Sequence, residues 1–251
     1  DIDGLDGGTT GFVRQMFNAN ELPTDEAICC WGDEGIPAFN YNQWGASHPM
    51  LKGFYYRLYF GVTMCNFYLT EAADYDATMT AEVRFLRALY YYHLMDCFGN
   101  IPFLTEVASE PAPQASRAEV YNFIETELLE IEGQMAAPLT NTYGRADQAA
   151  AWMLLARLYL NAEVYTGNAQ WAKASEYAQK IMNSGYKLHT TPKGDWSAYQ
   201  MLFMGDNGEN GAQCEAILPL LQDGLTTTSW GTSLFLMAST FKADMTMVGS
   251  A

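Results

Sequence analysis

Basic side chains are scarce in this 251-residue chain: 13 Lys and Arg stand against 29 Asp and Glu, a formal charge of −16. Such a field repels phosphate backbones and anionic lipid surfaces, which argues against a nucleic-acid partner. Histidine is scarcer still. His48, His93 and His189 lie far apart and none stands at metal-ligand spacing from another, so no metal centre is expected. His93 falls in an apolar helical stretch and reads as a core histidine. The cysteines (Cys29, Cys30, Cys65, Cys97 and Cys214) are odd in number and lack C-x-x-C spacing, which argues against a disulfide framework. Cys65 and Cys97 read as small hydrophobes, and nothing basic adjoins Cys29 and Cys30 to activate a thiolate. G-x-S-x-G, H-E-x-x-H, the P-loop and a G-x-G-x-x-G after a strand are all missing, and no cofactor is expected. The longest uncharged run, Leu225 to Phe241, is crowded with Thr and Ser and does not read as a membrane span. The chain opens on Asp1-Ile2-Asp3 with no basic or apolar leader, and stops at Gly249-Ser250-Ala251 without a closing element. The expectation is a fragment whose signal peptide was removed or lies outside it.

What is present is a core-forming composition: 49% hydrophobic residues, with 16 Tyr, 13 Phe and 6 Trp. That is a globular chain of one large or two small domains. To about Pro49 it is irregular, rich in Gly and Pro, with one short helix expected around Phe12 to Asn18. Five helical patterns follow. Leu51 to Ala73 is rich in aromatics and Leu. Thr80 to Phe98 is apolar on most sides and reads as the central buried helix, stopped by Gly99-Asn100 with Pro102 beyond. Ser116 to about Met135 opens with Ser116 and Glu119 in capping-box spacing, and Val120, Phe123, Ile124, Leu128 and Ile131 share one face. Asp147 to about Ala162 and Gln170 to Asn183 read as an antiparallel pair. Ala151, Ala156, Ala174 and Ala178 are expected where the two approach closely, as in helical repeats. Trp152 and Trp171 on this pair read as packing residues. Glu215 to Leu221 and Ser229 to Met237 read as strands or extended segments. The fold class is therefore mainly α, with loop layers at both ends: a helical core over 50–185 flanked by loop-rich 1–49 and 186–251.

Gly205 to Gly211 offers hard oxygen ligands around Asp206. It lacks the alternating acidic spacing and the twelfth-position Glu of a calcium loop, so it reads as a solvated turn. Two carboxylates suffice for glycoside hydrolysis, and 29 acids neither exclude nor nominate such a pair.

Ala81 to Met95, running into Phe98-Gly99-Asn100-Ile101-Pro102-Phe103, resembles the hallmark of the SusD/RagB family, A-E-x-R-F-L-R-A-x-x-Y-x-x-L then F-G-x-x-P. Glu21 to Ala27, Gly61 to Asn66 and Arg117 to Leu128 resemble further family pieces in the family's order, the last with Glu127 where Asp is usual. So do Gly144-Arg145-Ala146, Ala156 to Leu160, Trp171 to Tyr177 and Ser184 to Leu188. On a helix the hallmark reads as scaffold, with Phe85, Leu86, Leu89 and Tyr90 in the core and Arg84 and Arg87 bonded to nearby carbonyls or acids. The resemblance implies a single SusD-like domain over 1–251, incomplete at both ends, on a tetratricopeptide-like scaffold. It implies a lipid-anchored, non-catalytic protein on the extracellular face of a Bacteroidetes-type outer membrane, its N-terminal anchor outside this chain. There it would capture oligosaccharides for a SusC-like TonB-dependent transporter.

The resemblance also places ligand sites on the loop-rich layer. Sugars present apolar C–H faces and hydroxyl rims, so capture needs aromatic platforms beside planar polar groups. Two clusters qualify. One comprises Trp31, Asp33, Tyr41, Asn42 and Trp44. The other comprises Gln222, Asp223, Thr228, Ser229 and Trp230, similar to an element near the glycan site of starch-type relatives. Three alternatives stay open: peptide capture as by RagB-like relatives, a carboxylate-based glycoside hydrolase, and an adaptor working through its repeat groove.

Overall fold

A computed structural model describes residues 9–222. Asp223 and Trp230, with the expected extended segment Ser229 to Met237, lie outside them. The chain divides into two compact units, one of residues 1–60 and 222–251 and one of residues 61–221.

The first unit carries short helices. α1 (Phe12–Glu21) covers the expected short helix and extends past it by three residues, and α2 (Ile36–Asn40) is a single turn with Pro37 inside its start. α3 (Pro49–Glu71) contributes residues to both units. Leu22, Ile36, Phe39 and Met50 form a small buried cluster. The loop between α2 and α3 is closed by His48. The Leu51 amide donates to its Nδ1 (3.2 Å), which puts the proton on Nε2, and Nε2 donates to the Gly35 carbonyl (3.0 Å).

The second unit is the helical scaffold: α4 (Ala77–Phe98), α5 (Arg117–Ile131), α6 (Gln148–Leu160), α7 (Ala162–Thr166), α8 (Trp171–Met182) and α9 (Ala198–Met201). Side-chain contacts give the directions. Arg84 meets Glu127 while Tyr91 meets Phe123, so α4 and α5 run antiparallel. Tyr159 bonds Glu125 while Trp152 bonds Glu132, so α5 and α6 do too. Tyr159 packs on Tyr177 while Lys180 lies over Trp152, so α6 and α8 complete the alternation. This is a tetratricopeptide-like array of helix pairs, as expected.

Its local chemistry follows from the sequence. Asp76 caps α4, Asp147 caps α6 through two amides, and the Ser116–Glu119 capping box opens α5. Gly99 ends α4 at φ 77°, a region costly to any residue with a Cβ, and Asn100 accepts a bond from the Arg117 amide (3.0 Å) that fixes the start of α5. Gly61 on α3 is required by close approach: a Cβ there would stand 2.5 Å from the Tyr90 ring. Between α4 and α5, β1 (Ile101–Pro102) pairs antiparallel with β2 (Gln114–Ala115), a short ladder that hydrophobic pattern alone did not announce.

Arg84 and Arg87 of the hallmark converge on Glu127. Arg84 donates to Glu127 Oε1 (2.7 Å) and to Glu130, and Arg87 donates to Glu127 Oε2 (2.8 Å), Asn66 Oδ1 (3.0 Å) and the Thr105 carbonyl (3.0 Å). Asn66 in turn donates to the carbonyls of Leu104 and Glu106, and Tyr91 Oη donates to that of Leu104. The network therefore pins the chain after β1 to the helices.

Three expectations need correction. Of the strand or extended run expected over Glu215 to Leu221, Glu215 instead closes a 3-10 turn (Ala212–Glu215). Ala216 to Leu221 forms no ladder among the described residues, and Ala216 itself has extended backbone (φ −89°, ψ 109°), so at that residue the extended alternative holds and the strand does not. On α8 the buried positions are Ala174, Tyr177 and Ile181, so Ala178 faces solvent and takes no part in the close approach. Trp171 is 60% exposed rather than packed, because it stands at the first turn of α8, whereas Trp152 is half-buried and donates to Glu132 (2.9 Å).

Candidate functional site

The first unit holds every described member of the sequence-nominated clusters. Trp31 follows the extended Cys29-Cys30 stretch, which is tied to α2 by Asn40: its amide donates to the Cys29 carbonyl (2.6 Å) and its carbonyl accepts from the Cys29 amide (3.3 Å). The half-buried Trp31 ring has the Arg14 guanidinium 6.0 Å from its centroid. Arg14 is 4% exposed and ion-pairs with Asp33, which is 44% exposed. A buried guanidinium is thus held by a carboxylate and lies against an indole, so both the aromatic surface and the charged pair have fixed positions.

Tyr41, Asn42 and Trp44 lie on the turn that follows α2. Tyr41 is 68% exposed and Trp44 43%. Trp44 leans on Phe39, ring centroids 5.9 Å apart, and Phe39 is core, so one edge of the indole is anchored while the rest meets solvent. Asn42 adopts φ 53°, a left-handed turn conformation that Asn tolerates, and its amide donates to the Pro23 carbonyl (3.2 Å). Its side-chain oxygen is what it has to offer a ligand.

Trp31 with Asp33, and Tyr41 with Asn42 and Trp44, therefore form two groups carried by one unit. Sequence reasoning missed Arg14. A polar residue in the middle of a short expected helix carries no spacing signal, and only the fold brings it 19 positions along the chain to Asp33. The described residues contain no group of three His, Cys, Asp or Glu arranged to hold a metal, and the Asp206 turn uses its carboxylate on Asn210 (2.9 Å).

Comparison with known proteins shows which family the chain belongs to. Residues 31–160 match a SusD-like family model described as starch-binding and associating with the outer membrane. The starch-binding protein SusD of Bacteroides thetaiotaomicron is 43% identical over 256 residues, covering 100% of this chain and 45% of that protein. The chain thus spans less than half the length of that relative. Among solved structures, a laminarin-binding SusD-like protein superposes with a TM-score of 0.65 at 26% identity, over 82% of this chain and 46% of its own. A SusD superfamily protein from Parabacteroides distasonis gives 0.60 at 27% identity, over 70% and 40%. A protein solved with a xylogluco-oligosaccharide gives 0.66 at 24% identity, over 84% and 44%, a likeness of fold. The hallmark helix with its arginine pair, the alternating helical array and the match across the full length of the chain agree, and the chain belongs to the SusD-like family of starch-binding, outer-membrane-associated proteins.

Proposed function

We propose that this chain is part of a non-catalytic surface protein that captures neutral oligosaccharides, of the starch type bound by its Bacteroides relative, and hands them to a SusC-like TonB-dependent transporter. The observation that carries the reading is Trp31 held beside the Arg14–Asp33 pair. An indole face stacks on the C–H face of a pyranose, while the Asp33 carboxylate, held in place by the buried Arg14 and itself 44% exposed, offers an acceptor to sugar hydroxyls. Tyr41 and Trp44 supply further exposed aromatic surface in the same unit, and Trp230 with Asp223 are proposed to join them. A field of −16 leaves such a neutral ligand unopposed. The protein would sit on the extracellular face of the outer membrane through an N-terminal lipid anchor outside this chain, and it would need no cofactor.

The test is affinity electrophoresis of the full-length protein through soluble polysaccharides, starch among them, with Trp31→Ala, Trp44→Ala and Trp230→Ala alongside. Retardation by one glycan that falls about 10- to 30-fold in Trp31→Ala, as loss of a buried aromatic contact requires, supports the reading. Absence of retardation by any glycan, with binding to a peptide mixture, would move the protein to peptide capture. Release of shortened glycan would make it a hydrolase.

A further inference from the structure

A second set of exposed rings lies in the helical unit. Trp196, Tyr199 and Phe203 are 54%, 70% and 74% exposed, and with Gln200, Met204 and Gly205 they line one open groove of about 480 Å³. Their spacing explains the grouping. Tyr199 and Phe203 are four apart across the end of α9, their rings 5.2 Å apart and edge-to-face, and Trp196 precedes Tyr199 by three.

The backbone beneath the rings is closely held. Lys193 and Trp196 exchange both amide–carbonyl bonds at 3.1 Å. Ser197 and Gln200 form a capping box, Asn207 donates to the Leu202 carbonyl (2.8 Å) and Asn210 to that of Met201 (3.1 Å), and Met201 is buried. Side-chain bonds fix the support while the three rings meet solvent. Gathered, uncovered aromatic surface on a rigid support is the character of a contact surface.

Charge selects the occupant. None of the six lining residues is of a charged type, the chain carries −16, and Lys193, Asp195 and Asp206 flank the segment, one basic against two acidic residues. An anionic partner is repelled and a cation finds no counter-charge among the lining residues. A neutral ligand with apolar faces and hydroxyl edges fits. Gln200 uses its carbonyl oxygen on Ser197, which leaves its amide nitrogen as a donor among the lining residues.

We propose that Trp196, Tyr199 and Phe203 form a second glycan platform, separate from the Trp31 cluster, which holds a further stretch of a neutral polysaccharide. The proposal rests on the glycan-capture reading. A second contact on one polymer acts through effective concentration, so it raises retention of long chains and leaves short ones unaffected.

The experiment uses the full-length protein with Trp196→Ala and the double variant Tyr199→Ser/Phe203→Ser, and with Trp31→Ala as reference. Retention in soluble starch and calorimetric binding of a short maltooligosaccharide are measured on each, with thermal melting to show that each variant folds. Both groove variants are expected to lower polymer retention about tenfold and to leave oligosaccharide affinity unchanged, whereas Trp31→Ala lowers both. Unchanged polymer retention in the groove variants, with wild type still binding, overturns this proposal alone. Wild-type protein that binds neither polymer nor oligosaccharide overturns the glycan reading as well. Unchanged retention with loss of a co-purifying protein would assign the groove to a protein contact and also overturn the proposal.

Discussion

Replacing Glu127 by Ala tests whether the hallmark arginines serve the scaffold. The carboxylate is 9% exposed and accepts from Arg84 and Arg87, whose side chains are 20% and 8% exposed. Removing one partner of a buried pair costs about 3–5 kcal/mol, because the remaining charge is left without compensation. Here Arg84 retains Glu130 at the surface and Arg87 retains Asn66 and the Thr105 carbonyl, so the lower end, about 3 kcal/mol, is expected. For a chain of this size that corresponds to a Tm drop of about 6–12 °C. Urea denaturation followed by far-UV circular dichroism reads the change. The pair Glu127→Leu and Arg87→Met adds a cycle: the double variant should be more stable than the sum of the singles predicts, since removing both charges leaves neither stranded. The pH dependence has a definite sign. Desolvation would raise the Glu127 pKa, but the hydrogen bonds and charges of Arg84 and Arg87 more than offset it and hold the carboxyl below its ordinary 4.5. A depressed carboxylate pKa contributes stability above the unfolded value, lost as pH falls through the folded one, so wild type should weaken below about pH 4.5 more steeply than Glu127→Ala. A loss under about 1 kcal/mol in Glu127→Ala, or strict additivity in the cycle, would refute the account.

Gly61→Ala should destabilise by about 1–2 kcal/mol, overpacking against Tyr90 exceeding the helix-propensity gain of about 1 kcal/mol. In a Tyr90→Leu background the same change should turn neutral or stabilising, and thermal melts of the four proteins decide it. His93 has its pKa lowered from 6.5 to about 4, first by burial and then by Arg157, with Asp96 opposing. The unfolded chain then holds the extra proton between these values, so about 3 kcal/mol of stability is complete above pH 6.5 and lost as pH falls toward 4. An NMR titration of the His93 ring showing an inflection above pH 6 would contradict this. Burial raises the Cys65 thiol to about 11 despite Arg87, and burial followed by Asp96 raises Cys97 to about 12. Native-state alkylation read by mass spectrometry should therefore label exposed Cys30 and leave Cys65 and Cys97 until urea is added.

The helices were legible because burial there is periodic. Val120, Ile124, Leu128 and Ile131 recur on one face, and all four are buried. The capping box at Ser116 and the stop at Gly99 are local chemistry that needs no tertiary context. The arginine pair was legible as bonded to acids or carbonyls, but not its target, since Glu127 is 40 residues from Arg87. Ala178 and Trp171 were misplaced because side-chain size marks a possible contact and only the helix's rotation decides it. Exposure of the loop aromatics was not legible at all. Phe39 on α2 and Trp44 on the turn after it are both aromatic and five apart, yet one is 1% and the other 43% exposed.

That last difference bears on how a loop layer can hold a ligand platform at all. A segment with few helical bonds must lose its conformational entropy to something else before a ligand arrives, or each binding event carries that cost. Here isolated side-chain bonds to backbone do the work: Asn40 to both groups of Cys29, Asn42 to Pro23, and His48 to Gly35 and Leu51. Phe39 joins these bonds to the core, with His48 4.4 Å on one side and Trp44 5.9 Å on the other. It follows that Asn40→Ala, at a residue outside the candidate set, should weaken glycan binding by loosening the Cys29-to-Trp31 stretch. Its effect should appear as a more unfavourable binding entropy at little change in enthalpy, measured calorimetrically on the full-length protein with a maltooligosaccharide. A purely enthalpic loss would mean that Asn40 shapes the site by contact and not by restraint.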